Sequence, residues 1–158
     1  MGDAHANRPE NRRALFAAYR ASNADVALQT GDLEYYRLPM KTYFIGGNNE
    51  DFDIIESLRH GRIRSSKVKN AKLLHSTART IQGCRIAGIS GNYAPTCFDM
   101  SRSNLKGERR RHFVKSDVER AKSLSNVDVF LAHEAPHGTP VEEEYDVGNK
   151  YIDEILKE

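Results

Sequence analysis

Asp32, Asn48 with Asn49, Asn92 and His133 each stand directly after a short run of strand-like residues. Asp3 and His5 precede the first helical segment, where an earlier strand would end. Ligand sites in open α/β sheets form beyond the carboxyl ends of strands. The residues so placed are carboxylates, imidazoles and amides, a set that suits borderline-hard divalent cations such as manganese, iron or zinc better than a thiolate site would. A single Asp-x-His, or a histidine after a strand, is more often structural. The set is informative because every member falls at an expected strand end, in order along the chain.

The elements that must position these groups follow from periodicity. Pro9 at the first turn and Leu15, Ala18 and Tyr19 along one stripe predict a helix to about Ser22. Val26–Thr30 and Thr42–Ile45 read as strands, broken by Gly31-Asp32 and by Gly46-Gly47-Asn48-Asn49. Phe52, Ile55 and Leu58 predict a second helix with Gly61 at its end. Residues 73–90 read as a hairpin about Gln82-Gly83, opening into Ser90-Gly91-Asn92. Ser116-Asp117-Val118-Glu119 reads as a capping box for a helix to about Ser125. Val127–Ala132 is a buried-strand pattern delivering His133, and Val147, Tyr151 and Ile155 mark a last helix. Alternation of this kind implies an α/β class.

At 158 residues the chain is expected to form one domain. It has no apolar run of the length a spanning helix needs. Its start lacks the basic-then-apolar pattern of a secretory signal, and Cys84 and Cys97 are its only cysteines. A reducing cytoplasm is the expected setting, with no membrane partner. The net charge of +2 hides an uneven distribution, because Arg59–Lys72 carries six basic residues and no acidic one. Such a run either favours an anionic ligand or forms a solvated face. A second basic stretch, Arg102 to His112, lies in an expected long loop, as a phosphate clamp or as solvated surface. Tyr35, Tyr36 and Tyr93 could stack on bases or simply pack.

The order Asp3-x-His5, Gly31-Asp32, Gly47-Asn48-Asn49-Glu50 and His133 resembles the motif series of the calcineurin-like metallophosphoesterases. Three segments, 46–50, 88–93 and 129–136, are similar to the branch holding lariat-debranching enzymes and prokaryotic relatives. The resemblance implies a four-layer α-β-β-α sandwich and hydrolysis of a phosphoester, a diester rather than a monoester, with a nucleotide or nucleic acid as the substrate class. It implies two divalent ions, manganese first, with iron or zinc fitting the same ligands. Asp3 and His5 would hold one ion, Asp32 would bridge, and Asn48 and His133 would hold the other. A shared anion offsets the repulsion between two cations that together acidify a bridging water.

This sequence departs from the family in three places. Asn49 fills the slot where most members carry a histidine, which leaves proton delivery slower or dependent on another histidine such as His137 or His112. Asn49 and His137 are the catalytic candidates, and Asn92, with Arg111 and His112 where the basic loop acts as a phosphate clamp, are the candidate substrate contacts. The family's Gly-His-x-His segment does not occur, and only two residues precede Asp3, so a first strand and a last segment are expected to be missing from a longer protein. Asp3 also stands where debranching enzymes carry cysteine. Two rival readings remain: a non-catalytic scaffold of the same fold, as in the small retromer subunit, which this domain also resembles, and a nucleic-acid-binding protein without chemistry, resting on the basic runs alone.

Overall fold

The computed structural model describes residues 1–62, 66–142 and 145–157, and the side chains of 140–146 are outside the description. Residues 63–65 of the basic run therefore lie outside it as well. The elements are α1 (Pro9–Ala21), β1 (Val26–Gln29), β2 (Arg37–Phe44), α2 (Phe52–Arg59), β3 (Lys69–Leu73), β4 (Thr77–Ile81), β5 (Cys84–Ile89), α3 (Pro95–Phe98), two 3₁₀ turns (Arg102–Asn104 and Gly107–Arg111), α4 (Lys115–Lys122), β6 (Val129–Ala132), β7 (Pro140–Glu142), β8 (Tyr145–Asp146) and α5 (Lys150–Leu156).

Among the described residues, β1-β2-β3 form one parallel sheet and β4-β5-β6 a mixed one, with β7 and β8 paired separately. Alternation along β2 explains how the first sheet is covered. Leu38 and Phe44 pack with Leu15 and Tyr19 of α1 and Ile54 and Ile55 of α2. Tyr43 and the following Ile45 point the other way, onto Ile81, Ile86 and Leu131 of the second sheet. The sheets come close at Gly88, where a Cβ would meet Ile45 Cγ2 at 2.6 Å. On the far face of the second sheet, Ile89 and Phe130 pack with Val118 and Ala121 of α4 and Ile152 and Ile155 of α5. The result is a mixed α/β structure compatible with a layered sandwich. Burying each large apolar side chain in these layers contributes roughly 1.5–3 kcal/mol over leaving it exposed.

Several local expectations need correction. The Ser116–Glu119 capping box is not used: α4 starts at Lys115, and Asp117 accepts the N–H of Val114 at 3.0 Å. Asp117 displaces the serine because buried His75, Arg59 and Arg102 surround it, so the carboxylate serves cap and ion pairs together. The expected hairpin begins only at Thr77; Lys69–Leu73 is a separate strand paired with β2. Its polar sequence, with Lys69, Asn70 and Lys72, reads as surface in isolation. The turn is as expected, with Gln82 and Gly83 both at positive φ. Of the two readings of the tyrosines, packing describes Tyr36, which is 2% exposed and bonds Glu50, and Tyr93 packs against Phe98, Phe113 and Tyr151. Cys84 is exposed, Cys97 buried, and both are free. Among the described residues, no helix is long and apolar enough to cross a membrane.

Candidate metal centre

Three loops meet at Asp32. The first is the N-terminal segment, which runs beside β1: Thr30 N–H donates to Met1 O at 2.7 Å, Asp3 N–H to Gly31 O at 3.1 Å and His5 N–H to Asp32 O at 2.8 Å. This ladder sets Asp3 and His5 beside the loop after β1. The second loop follows β2 and is tied to the second sheet, because Gly46 N–H donates to Ser90 Oγ at 2.9 Å and Gly91 N–H to Gly46 O at 2.7 Å. The third follows β6 and carries His133.

Asp32 is 3% exposed, and both its oxygens are held by Asn49: the backbone N–H donates to Oδ1 at 2.8 Å and the side-chain amide to Oδ2 at 2.7 Å. His5 Nε2 lies 3.7 Å from Oδ2 and His133 Nε2 lies 3.7 Å from Oδ1. One carboxylate thus has an imidazole on each side. Ligand atoms of Asp3, Asp32 and His133 lie within 4.8 Å of one another. Asp3, His5, Asp32 and Glu34 all adopt positive φ, a conformation that non-glycine residues rarely hold and that clusters at functional sites.

The two histidines are oriented for different partners. His133 Nδ1 lies 2.9 Å from Thr30 O, which can only accept, so this nitrogen carries the proton. Its Nε2 then faces Asn48 Oδ1 at 2.8 Å as well as Asp32. Two oxygens and a lone pair converge there, an arrangement that a shared cation satisfies. His5 Nδ1 bonds Glu34 Oε1 at 2.5 Å, which leaves Nε2 toward Asp32. That bond, with Asp32, Glu34 and Asp3 nearby, raises the His5 pKa against the opposing effect of burial. A carboxylate behind a histidine is the usual support for a metal-binding imidazole. On these observations the residues fit a divalent metal.

Two residues of the site carried no role in the sequence reading, Glu34 and Glu50. Glu50 accepts from Leu33 N–H at 3.2 Å, Glu34 N–H at 3.0 Å, Gly47 N–H at 3.2 Å and Tyr36 O–H at 2.5 Å, fastening the loop after β1 to the loop after β2. Burial raises its pKa while these bonds oppose the rise. Its place in the Asn48-Asn49-Glu50 run was the available signal; Glu34 gave none, since its partner His5 is far away in sequence. Gly47 is required by close approach, because a Cβ would sit 2.6 Å from the Asp32 backbone nitrogen.

The remaining expected residues are nearby in part. Asn92 and His112 face each other as a bridge between loops: Asn92 N–H donates to Arg111 O at 3.1 Å, and His112 Nδ1 lies 3.3 Å from Asn92 O. Burial lowers the His112 pKa. Asn92 Oδ1 is buried without a hydrogen-bond partner among the described residues. Arg111 pairs with Glu108 and lines a small cleft with Gly46, Gly47 and Glu50. His137 is exposed on the turn after Pro136. Glu134, next to His133, accepts from Tyr93 N–H at 3.1 Å and from Asn149 Nδ2 at 2.5 Å, which anchors this loop to the start of α5.

The matches to known proteins bear on this geometry. The chain is similar to lariat debranching enzymes. It is 30% identical over 111 residues to the enzyme of Schizosaccharomyces pombe, covering 65% of this chain and 23% of the relative. It is 31% identical over 125 residues to that of Drosophila pseudoobscura pseudoobscura and 30% identical over 125 residues to that of Drosophila melanogaster, each covering 71% of this chain and 21% of the relative. The chain therefore spans about a fifth of the length of the curated relatives it matches. No family model matches it. This partial homology supports the metallophosphoesterase resemblance at the level of the superfamily.

Proposed function

We propose that the chain is the metal-holding part of a phosphodiester hydrolase built on the four-layer metallophosphoesterase sandwich. The observation that carries this reading is the meeting of His5 and His133 on opposite sides of buried, doubly hydrogen-bonded Asp32. Asp3 and His5 would hold one divalent ion, Asp32 both, and Asn48 and His133 the other, with manganese the first candidate and iron or zinc also suited. Two such ions, when bound, supply an acidified water for attack on phosphorus and neutralise the phosphoryl oxygens.

The protein's own groups prepare that chemistry. Thr30 O fixes the His133 tautomer, Glu34 orients His5, and Asn49 holds both oxygens of Asp32 in place. Asn49 cannot donate a proton as an acid does, so the leaving oxygen must be one that needs little protonation or must draw on His137 or His112. Arg111, beside Gly47 in the adjoining cleft, is the expected contact for a substrate phosphoryl oxygen, with Asn92 and His112 next to it. The debranching enzymes among the relatives suggest a nucleotide or nucleic-acid diester as the substrate class.

A second reading, a scaffold without turnover, is favoured by the same Asn49, which stands where the family's proton-donating histidine would be. Hydrolysis of a bis-aryl phosphodiester and of the matching monoester, each with and without manganese, separates the two. Manganese-dependent cleavage of the diester is the expected result. Manganese binding with no turnover of either ester would favour the scaffold.

A further inference from the structure

A second constellation lies at the edge of the molecule. Between α2, the edge strands β3 and β4, and the first turns of α4 is a cavity of about 450 Å³, within the range of small-ligand sites. Arg59, Arg79, Arg102 and Arg120 line it, against two carboxylates, Glu56 and Asp117. None of Asp3, His5, Asp32, Asn48 or His133 is part of its lining.

Its carboxylates are already engaged. Asp117 accepts the N–H of Val114, pairs with Arg102, and lies 3.0 Å from His75 Nε2 and 4.0 Å from Arg59 Nη1. Glu56 Oε1 lies 3.6 Å from Arg59 Nε and its Oε2 3.9 Å from His60 Nε2. Among the described residues, Arg59 Nε, whose nearest carboxylate oxygen is Glu56 Oε1 at 3.6 Å, and Arg102 Nε are nonetheless buried without a hydrogen bond. Arg79 and Arg120 stand exposed at the rim. Among the described residues the lining thus has four guanidinium groups against two carboxylates. Burial, and then the Arg102 guanidinium, push the Arg59 pKa down to about 10, although Asp117 and Glu56 work the other way.

We propose that this cavity binds a phosphate-type oxyanion, as the free ion or as a backbone phosphate of a nucleic-acid strand. Guanidinium forks match the oxygens of such a group in geometry and charge. A buried cationic donor that makes no hydrogen bond is costly, and an anion supplies one.

Titration calorimetry in low salt with EDTA tests it, using inorganic phosphate and, separately, a single-stranded RNA oligonucleotide without terminal phosphates. The proteins are the unaltered chain, Arg79→Gln/Arg120→Gln, Arg79→Lys/Arg120→Lys and Asp32→Asn. At least one probe should bind the unaltered chain and Asp32→Asn alike, and about tenfold more weakly the glutamine pair, with the lysine pair in between. Binding of phosphate identifies a free-ion site, and binding of the oligonucleotide alone a backbone site. Absence of binding by both probes, binding unchanged in the glutamine pair, or binding lost in Asp32→Asn overturns the proposal. Since no metal is present and no turnover is measured, this outcome is independent of whether the protein hydrolyses a diester.

Discussion

Asn49 grips Asp32 at both oxygens, through its backbone N–H at 2.8 Å and its side-chain amide at 2.7 Å. The amide therefore works as a positioning group for the carboxylate. Asn49→Ala removes the bond to Oδ2 and leaves part of a buried charge without its donor, a loss of about 1–3 kcal/mol in the metal-free protein. Urea unfolding with EDTA present checks this, and added manganese should recover part of the loss by mass action.

Gly47→Ala should damage the site more than its size suggests. The new methyl would sit 2.6 Å from the Asp32 backbone nitrogen, so one of the two loops must move. Overpacking of this kind costs about 1–3 kcal/mol. Manganese affinity should fall with it, as read by titration calorimetry.

Glu34→Gln keeps the shape beside His5 but removes the charge behind the imidazole. Loss of such a supporting carboxylate costs about 10- to 100-fold in metal affinity. The expected change is in the manganese dissociation constant, with little effect on unfolding in EDTA.

His75 makes stability depend on pH. Burial first, and then the field of Arg59, push its pKa down from 6.5 to about 3, although Asp117 works the other way. Between those values the unfolded chain takes up a proton that the folded chain does not. The stability tied to neutral His75 is complete above about 6.5 and is lost as pH falls toward 3, at up to ~1.4 kcal/mol per pH unit. Asp117, held below its ordinary 3.8 by His75, Arg102 and Arg59 against the effect of burial, adds a loss in the same direction at lower pH. Urea midpoints from pH 7 to pH 4 should fall, and more gently in His75→Gln.

The parts legible in the sequence are those fixed by short-range pattern. Pro9, Leu15 and Tyr19 announce α1; Gln82-Gly83 announces the hairpin turn; the apolar runs ending at Gln29, Phe44, Ile89 and Ala132 announce the strands. Their ends carry Asp32, Asn48, Asn49, Asn92 and His133, so the candidate site could be assembled before its geometry was known. The parts that were not legible depend on partners distant in sequence. Asp117 outcompetes Ser116 as a cap because His75 and Arg102 are folded against it. β3 carries Lys69, Asn70 and Lys72 among its five residues and takes its strand structure from pairing with β2. Glu34 acquires meaning only through His5, and Glu50 through four donors from two loops.

Asp32, between the imidazoles of His5 and His133, is the proposed shared ligand of two divalent ions. Manganese titration of the unaltered chain and of Asp32→Asn, followed by calorimetry and by electron paramagnetic resonance, tests it most directly. The account predicts two manganese ions per chain with a spin-coupled spectrum in the unaltered chain, and loss of the coupling with sharply weakened binding in Asp32→Asn. Equal manganese binding by both proteins, or a single uncoupled ion in the unaltered chain, would contradict it.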